Sequence, residues 1–489
     1  MRGSRWKLLT SLSLLTAALS CSEDPVEFPS TQTFRMRVLK VNDTDPPTSV
    51  SPLPPNTGER DDVFEVEIEA VGPDGNATDF DGWVRISIEP GSVVSVVDSS
   101  DGSNEGRNIL IRGGKAAATI TATASYGPTR LVVEDMGYVP APEGATPACA
   151  NGINDDDDED KQVDYPNDPG CQFADDDTET AGTFAAGVSP TIFYELPSVQ
   201  DVQGLGSTTP YRFESVELNT EGVHEVIVTR ISKDGFYVTD LSDDEVGFNH
   251  LFVFNFSTPR NLRVCDRMTL LSGVVSEFFG YTSINFPSYR SEFLLEGDED
   301  KCKVPDPILL EPDVITDAAL MERYESGLVR LDGYHVSEKM GPKLALGGDF
   351  QPDQTNCDYN GDGRIDFESD AEGQCGTLCS DDPECTEWTQ FVARGNYKVS
   401  KRIEQVISVI QVNTDAAAEF NPVANKGLEL DTVIGTLRNF SGGNLNWTVE
   451  TRCTDDLLCE DPGCTTEEWS PKKACVKLRT FDDNDEGSN

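Results

Sequence analysis

Phe64-Glu-Val-Glu-Ile-Glu-Ala70 places an apolar side chain at every second position and a glutamate between. Successive side chains of a strand point to opposite faces, so the stretch reads as a half-buried strand with its glutamates in water. The same period of two recurs on both sides. Phe34-Arg-Met-Arg-Val-Leu-Lys-Val41 precedes it, and Trp83-Val-Arg-Ile-Ser-Ile88, Ala116 to Ala124 and Arg130 to Glu134 follow. Between them, Asp43 to Asp62 is rich in Pro, Thr and Ser, and Gly72-Pro73-Asp74-Gly75 and Pro90-Gly91 are turn signals. Short strands separated by such turns predict a β-sandwich over residues 34–141.

The whole chain of 489 residues has room for roughly three domains. It carries 87 Asp and Glu against 38 Lys and Arg, a net charge of −49. Most of such a surface repels phosphate, which disfavours nucleic acid while leaving a local basic face open. The hydrophobic fraction of 37% is low, but aromatics at 8% suffice for small cores. No run of 18 apolar residues marks a membrane-spanning helix.

Arg2, Arg5 and Lys7 precede a short apolar stretch, Leu8 to Leu19, which ends at Ala18-Leu19-Ser20-Cys21. Residues 1–20 read as an export signal. The junction resembles the lipobox of bacterial lipoproteins, in which the cysteine is acylated, and Cys21 is the expected lipidation site. Ala18 stands where those sequences favour an aliphatic residue. Ser22 next to the cysteine implies, by that resemblance, the outer membrane. Residues 21–33 would be a tether behind a durable anchor, since each buried methylene contributes roughly 0.8 kcal/mol. Cleavage removes three positive charges, taking −49 to −52. The sandwich resembles bacterial Ig-like domains of the invasin type in Gly82-Trp83-Val84-Arg85-Ile86-Ser87 and Gly113-Gly114-Lys115-Ala116. The resemblance implies a spacer or adhesive module.

Export implies an oxidising compartment, and the 13 cysteines less Cys21 leave an even twelve. Two acidic segments are bounded by cysteines. In residues 142–180, Asp156, Asp158, Asp160 and Asp164 fall at the first, third, fifth and ninth places of a cation-binding loop. Lys161 occupies the place where glycine usually turns the chain. The segment resembles Cys-bounded, Asp-rich calcium loops of exported proteins from myxobacteria and related bacteria; a solvated acidic linker is the alternative. In Cys357-Asp-Tyr-Asn-Gly-Asp-Gly-Arg-Ile-Asp366, the spacing follows an EF-hand or dockerin-like loop. Asp358, Asn360, Asp362 and Asp366 would offer side-chain oxygens, Arg364 its carbonyl, and Asp370 the late ligand. Calcium is the expected cofactor, as a staple for the loop. Cys357, Cys375, Cys379 and Cys385 read as disulfide cysteines rather than zinc ligands in an exported chain. Cys149 with Cys171, and Cys265 with Cys302, are the expected pairs; Cys453, Cys459, Cys464 and Cys475 form a last framework in an acidic tail, 453–489.

Between 181 and 305 lie His224 to Ile231, Gly235-Phe-Tyr-Val-Thr-Asp240, Leu251 to Phe254, and the long ribbon Val264 to Ile284. This order is similar to the OB-like barrel that accompanies secreted bacterial nucleases, with Cys265 in place of a usual glycine. Leu328 to Val336 and Gly427 to Phe440 resemble the first strand and the later ribbon of a second barrel over 306–452, with an insertion at 346–390. Val314 to Tyr324 is a helix candidate. The expected fold is mainly β: an Ig-like sandwich, then two OB-like barrels, with disulfide-bounded acidic loops.

OB barrels bind single-stranded nucleic acid or oligosaccharide through aromatic and basic side chains. Phe236, Tyr237, Phe278, Phe279, Tyr281 and Phe286 are available, as are Arg260, Arg263, Arg267 and Arg290; most of the aromatics read as core. The nuclease activity does not carry over, because its Asn, Asp, Glu and paired His sit on a separate large fold for which no length remains. No GxSxG, HExxH or phosphate-cradling loop is present, and His224, His250 and His335 are isolated in sequence. The expectation is no catalytic residue and no small-molecule substrate. The chain reads as a non-catalytic envelope binding or scaffold protein in the outer membrane, held by its lipid, with a surface protein or glycan as partner. Binding of nucleic acid or oligosaccharide through an OB barrel is the alternative. Replacing Asp362 by Ala is expected to weaken calcium binding and the order of 357–385; unchanged calcium titration of that variant contradicts the ligand set.

Overall fold

The computed structural model describes residues 32–155, 161–180, 182, 184–242, 247–337, 391, 394–404, 406–441 and 444–480. The architecture is mainly β, in a sandwich followed by two barrels. The sandwich strands are β1 (Thr33–Val41), β2 (Asp62–Val71), β3 (Gly82–Glu89), β4 (Ser92–Asp98), β5 (Asn108–Ile111), β6 (Lys115–Thr123) and β7 (Pro128–Tyr138). One sheet runs β1-β2-β6-β4. The other runs β5-β3-β7 and ends on β8 (Gly187–Val188), with β9 (Ile192–Phe193) also on β7. Phe64, Val66, Ile68 and Ala70 all face inward and are buried, as their alternation requires. The intervening glutamates meet cross-strand partners: Arg35 opposes Glu69 at 3.2 Å, and Lys40 reaches Glu65 at 3.4 Å. Such exposed pairs set register more than stability. Strand β4 adds to the strands expected from the sequence, where Val93-Val94 and Val96-Val97 blur its alternation. At Gly114, which has φ +75°, a Cβ would lie 2.1 Å from the Thr78 carbonyl, so the β5–β6 turn admits only glycine.

The chain beyond 180 still serves the sandwich. Tyr194 donates its hydroxyl to Asp62 Oδ2 at 3.0 Å, deep in the domain. Asp62 also accepts from Asn42, Asn56 and Arg60. Burial pushes this carboxyl up, and the hydrogen bonds from Asn42 and Asn56, with Arg60 and Tyr194, overcome that and hold it below the usual range.

The first barrel follows α1 (Val199–Gln203) and β10 (Ser215–Glu217). It comprises β11 (Val226–Ile231), β12 (Gly235–Asp240), β13 (His250–Phe254), β14 (Arg267–Phe278) and β15 (Tyr281–Glu292). The order β11-β12-β13-β15-β14 closes through a β11–β14 contact, and β13 runs parallel to β15. The second barrel opens with β16 (Ile308–Leu309), α2 (Pro312–Ile315) and α3 (Ala318–Glu322). Then come β17 (Leu328–Val336), β18 (Asn396–Ile403), β19 (Val406–Asn413), β20 (Glu429–Ser441) and β21 (Asn444–Glu450), with β22 (Leu457–Cys459) added to β20. It repeats the first barrel's connectivity: β17 pairs both β18 and β20, and β19 runs parallel to β21. Two five-stranded Greek-key barrels of OB type therefore follow the sandwich. The 346–390 insertion falls in sequence between β17 and β18 and lies outside the described residues, as do all the candidate calcium positions within it.

The single helix expected over 314–324 is instead two short ones. Asp317 interrupts it, because its carboxylate accepts from the backbone N–H of Ala319 and Leu320 and so caps a new helix. Cys149–Cys171 and Cys265–Cys302 are bonded at 2.07 and 1.95 Å. In the last framework Cys453 pairs with Cys475 and Cys459 with Cys464. Cys21, Cys357, Cys375, Cys379 and Cys385 lie outside the described residues.

The tail is a strap across both barrels. Arg479 makes a two-pronged ion pair with Asp266 of the first barrel, at 2.8 and 2.9 Å, with both side chains nearly dry. Arg452 grips Asp456 the same way and donates to the Thr229 carbonyl at 3.1 Å. Trp469, Val476 and Leu478 cover a core formed by Ile227 and Val264 of one barrel with Leu328 and Ile434 of the other. No helix among the described residues is long and apolar enough to cross a membrane. Replacing Cys453 and Cys475 by Ser opens a loop closed over a separation of 22 residues. The expected loss is about 3 kcal/mol in denaturant unfolding, from loop-closure entropy returned to the unfolded chain.

Candidate functional site at the joint of the two barrels

An OB barrel presents its ligand on the face of its second and third strands. In the first barrel that face carries Tyr237 on β12 and Phe252 on β13, with Tyr281 on β15 beside them. All three are buried, and together with Phe254 and Phe440 they form one aromatic cluster. The second barrel covers them. Arg438 on β20 lays its guanidinium over Phe252 and Tyr281, 5.3 and 5.2 Å from the ring centres. Arg230 on β11 lies 5.3 Å over Tyr237. Both arginines converge on Glu450 of β21, at 2.9 Å from Arg230 and 3.4 Å from Arg438. Desolvated cation–π contacts contribute about 2 kcal/mol each. Phe236 is core, whereas Phe278, Phe279 and Phe286 are exposed; Phe278 meets Phe440 of the other barrel edge-on and Phe279 stacks on it.

Two clefts open along the rim of this joint, about 750 and 690 Å³, and share Ile231, Thr258 and Arg452. Their combined lining holds eight basic side chains and four acidic ones, a local reversal of the chain's overall charge. Arg230, Arg438 and Arg452 are committed to internal ion pairs. Arg260, Arg263 and Lys477 have no ion-pair partner among the described residues. Arg260 and Arg263 stand out in the sequence; Lys477 does not, because it arrives from the tail. Arg267 pairs with Glu292 at 3.2 Å.

Of the first acidic loop's candidate ligands, Asp156, Asp158 and Asp160 lie outside the described residues. Asp164 is described, and its carboxylate accepts from the backbone N–H of Asn151 and Gly152, closing a turn. The structure brings together two carboxylates that the spacing does not select. Asp168 and Glu179, each 2% exposed, approach within 4.8 Å beside the bonded Cys171. Asp168 Oδ1 accepts from Gly170 N at 2.7 Å, and its Oδ2 is buried without a hydrogen-bond partner. Glu179 accepts from Asp164 N at 3.2 Å and from Asp155 N. The oxygen-only set and the orphaned Asp168 Oδ2 fit a hard cation. The signal in the sequence is Asp168-Pro169-Gly170, whose turn packs the carboxylate inward.

The three histidines occupy different settings. Asp240 and Ser242 both contact His224 at the same nitrogen, Nδ1, at 2.7 and 3.2 Å. A serine–histidine–aspartate relay needs its two partners on opposite ring nitrogens. His335 lies at the surface, 3.7 Å from Glu429. His250 is 3% exposed, bonds Thr239 Oγ1 at 2.8 Å through Nδ1, and presses against the second barrel. A Cβ on Gly327 would stand 2.6 Å from His250 Nε2, so only glycine lets β17 enter there.

No protein-family model matches the chain, and no curated protein matches it. Among solved structures it is similar to a variant of BcpA, the major pilin subunit of Bacillus cereus, at 7% identity, covering 55% of this chain and 67% of the pilin. The TM-score of 0.16 leaves that likeness without weight for fold or function.

Burial pushes the His250 imidazole down to about 4, so the folded state resists a proton that the unfolded chain takes up near 6.5. Stability tied to this residue is complete above the unfolded value and declines as pH falls towards 4. The expected loss is about 3 kcal/mol across that window, and His250→Gln should flatten that part of a urea-midpoint pH profile.

Proposed function

We propose that this chain is a non-catalytic binding and scaffold protein of the cell envelope, anchored through Cys21 and stiffened by calcium in its acidic loops. Its ligand surface is the basic groove at the rim of the barrel joint, and the ligand is an acidic oligosaccharide. The observation that carries this reading is the placement of Arg260, Arg263 and Lys477 around one cleft in a chain with a net charge of −49. A positive groove on a negative body attracts a flexible polyanion locally while the surrounding surface repels long, stiff ones. The alternative, nucleic acid stacked on the first barrel, loses support because Tyr237, Phe252 and Tyr281 are buried, the last two beneath Arg438. The non-catalytic reading is supported by the single shared nitrogen in the Ser242–His224–Asp240 contact.

Calcium supports the scaffold role through charge. Clustered carboxylates repel one another, and a bound cation turns that repulsion into order and stabilises the folded state by mass action. The test uses the chain from residue 21, with Cys21→Ser. A sulfated uronate hexasaccharide should bind with salt-dependent affinity, and the double variant Arg260→Glu, Lys477→Glu should bind at least tenfold more weakly. A single-stranded DNA 12-mer that binds more tightly than the hexasaccharide would favour the nucleic-acid reading. Equal hexasaccharide binding by native and variant chains removes the groove as the ligand surface.

A further inference from the structure

One short segment, residues 325–327, joins the two barrels and carries a buried carboxyl without a counter-charge. Glu325 is 1% exposed. It follows α3 and precedes β17, the first long strand of the second barrel. Its Oε1 accepts from the Thr282 N–H of β15 at 3.0 Å and from Gln203 Nε2 of α1 at 2.8 Å. Its Oε2 is buried without a hydrogen-bond partner. Two donors on one oxygen and none on the other suit a neutral acid, whose carbonyl oxygen is the acceptor. An ionised carboxylate would bury a charged oxygen with no donor.

The neighbouring groups offer no compensation. Glu322 of α3 and Glu277 of β14 both work against ionisation of Glu325 by their charge. His250 of β13 presses against Gly327, with its Nε2 buried and unpartnered. Arg438 of β20 is committed to Glu450 and to the rings of Phe252 and Tyr281. Arg323 lies over the Tyr324 ring. No lysine or arginine forms an ion pair with Glu325 among the described residues. Burial therefore holds this carboxyl well above the usual range, against the Thr282 N–H and the Gln203 amide.

The same segment reaches the aromatic seat. The Ser326 hydroxyl donates to the Tyr281 hydroxyl at 3.4 Å. Ser326 N donates to the Leu437 carbonyl at 2.8 Å, and Leu437 N donates to the Gly327 carbonyl at 2.9 Å. Leu437 immediately precedes Arg438, the cover of Phe252 and Tyr281. Ser326 is fully buried at φ +64°, a left-handed conformation that a serine keeps only while its contacts stand. We propose that Glu325 is carried as a neutral acid and that its ionisation loosens segment 325–327, so that rising pH lifts Arg438 from the aromatic face of the first barrel. This is a proton-operated cover on that face, and it does not depend on which ligand the basic groove takes.

Amide hydrogen exchange at Thr282, Ser326 and Leu437 tests it, in the chain from residue 21 with Cys21→Ser, corrected for the intrinsic pH dependence of exchange. An acid raised by burial stabilises the closed joint fully below its ordinary value, and that stability is lost as pH rises through the folded value. Above pH 7 the other displaced groups add no slope: Glu322 lies at about 7, His250 at about 4 and Tyr237 at about 12. Protection in the native chain should fall about tenfold per pH unit between about pH 7.5 and 8.5, one proton leaving at each opening. Glu325→Gln, permanently neutral, should abolish that slope, and amides of β2 in the sandwich should show none in either chain. If Glu325→Gln fails to fold, the native chain carries the test by infrared spectroscopy: the carbonyl band of a protonated acid should persist at about pH 8 and fade as protection falls. Equal slopes in native and variant chains, a slope shared by the β2 amides, or no protonated-acid band in the native chain overturns the proposal.

Discussion

One carboxylate between two guanidinium groups governs the relation of the barrels. Glu450 comes from the second barrel, Arg230 from the first, and Arg438 from the second, and all three are largely withdrawn from water. Two cations around one anion leave excess positive charge in a dry place. The faces of Tyr237, Phe252 and Tyr281 absorb it, since aromatic faces carry negative quadrupole density. The aromatic face that an OB barrel usually offers to a ligand is here consumed as the seat for an arginine. At the rim, by contrast, Arg260, Arg263 and Lys477 line a cleft without an ion-pair partner among the described residues, which is why the proposed ligand surface lies there.

The tail reinforces that choice. A short acidic segment with little apolar mass gains its order from two disulfides and from two dry arginine–carboxylate pairs. Arg479 fixes it to the first barrel and Arg452 links it to both, so separation of the barrels would expose uncompensated charge on each side. Trp469 seals the contact while its indole N–H donates to Asp456 at 3.0 Å. Tail, joint and groove form one unit, in which Lys477 reaches the cleft from a segment pinned on one side by the Cys453–Cys475 bridge and on the other by the Arg479–Asp266 pair.

Negative charge is handled in several ways along the chain. On the sandwich, glutamates stay in water opposite arginines and lysines. Asp62, Asp164 and Asp176 are drawn inward and satisfied by N–H, hydroxyl or guanidinium donors. Asp168, Glu277 and Glu325 are drawn inward and are only half satisfied. In the last group a buried oxygen is left without a hydrogen-bond partner.

Much of the fold was legible in the sequence because period-two alternation is a local property. Phe64 to Ala70 and Trp83 to Ile88 carry it without reference to any neighbour, and the ribbon from Val264 to Ile284 carried a resemblance strong enough to place a barrel. The Cys149–Cys171 and Cys265–Cys302 bridges were within reach because their partners are near in sequence. What remained hidden depends on contacts between distant segments. Nothing local marks Phe252 as covered, since its cover, Arg438, comes from the other barrel. Gln203 and Glu325 are ordinary polar residues until a fold brings their side chains to 2.8 Å. Side-chain polarity and spacing were enough to set the strands, their inward faces and the cysteine framework, because each is a property of a short stretch of chain. Packing of the barrels settled which aromatic face is sealed, which arginines stay unpaired and which carboxylates go unsatisfied, because each of these depends on burial by a separate element.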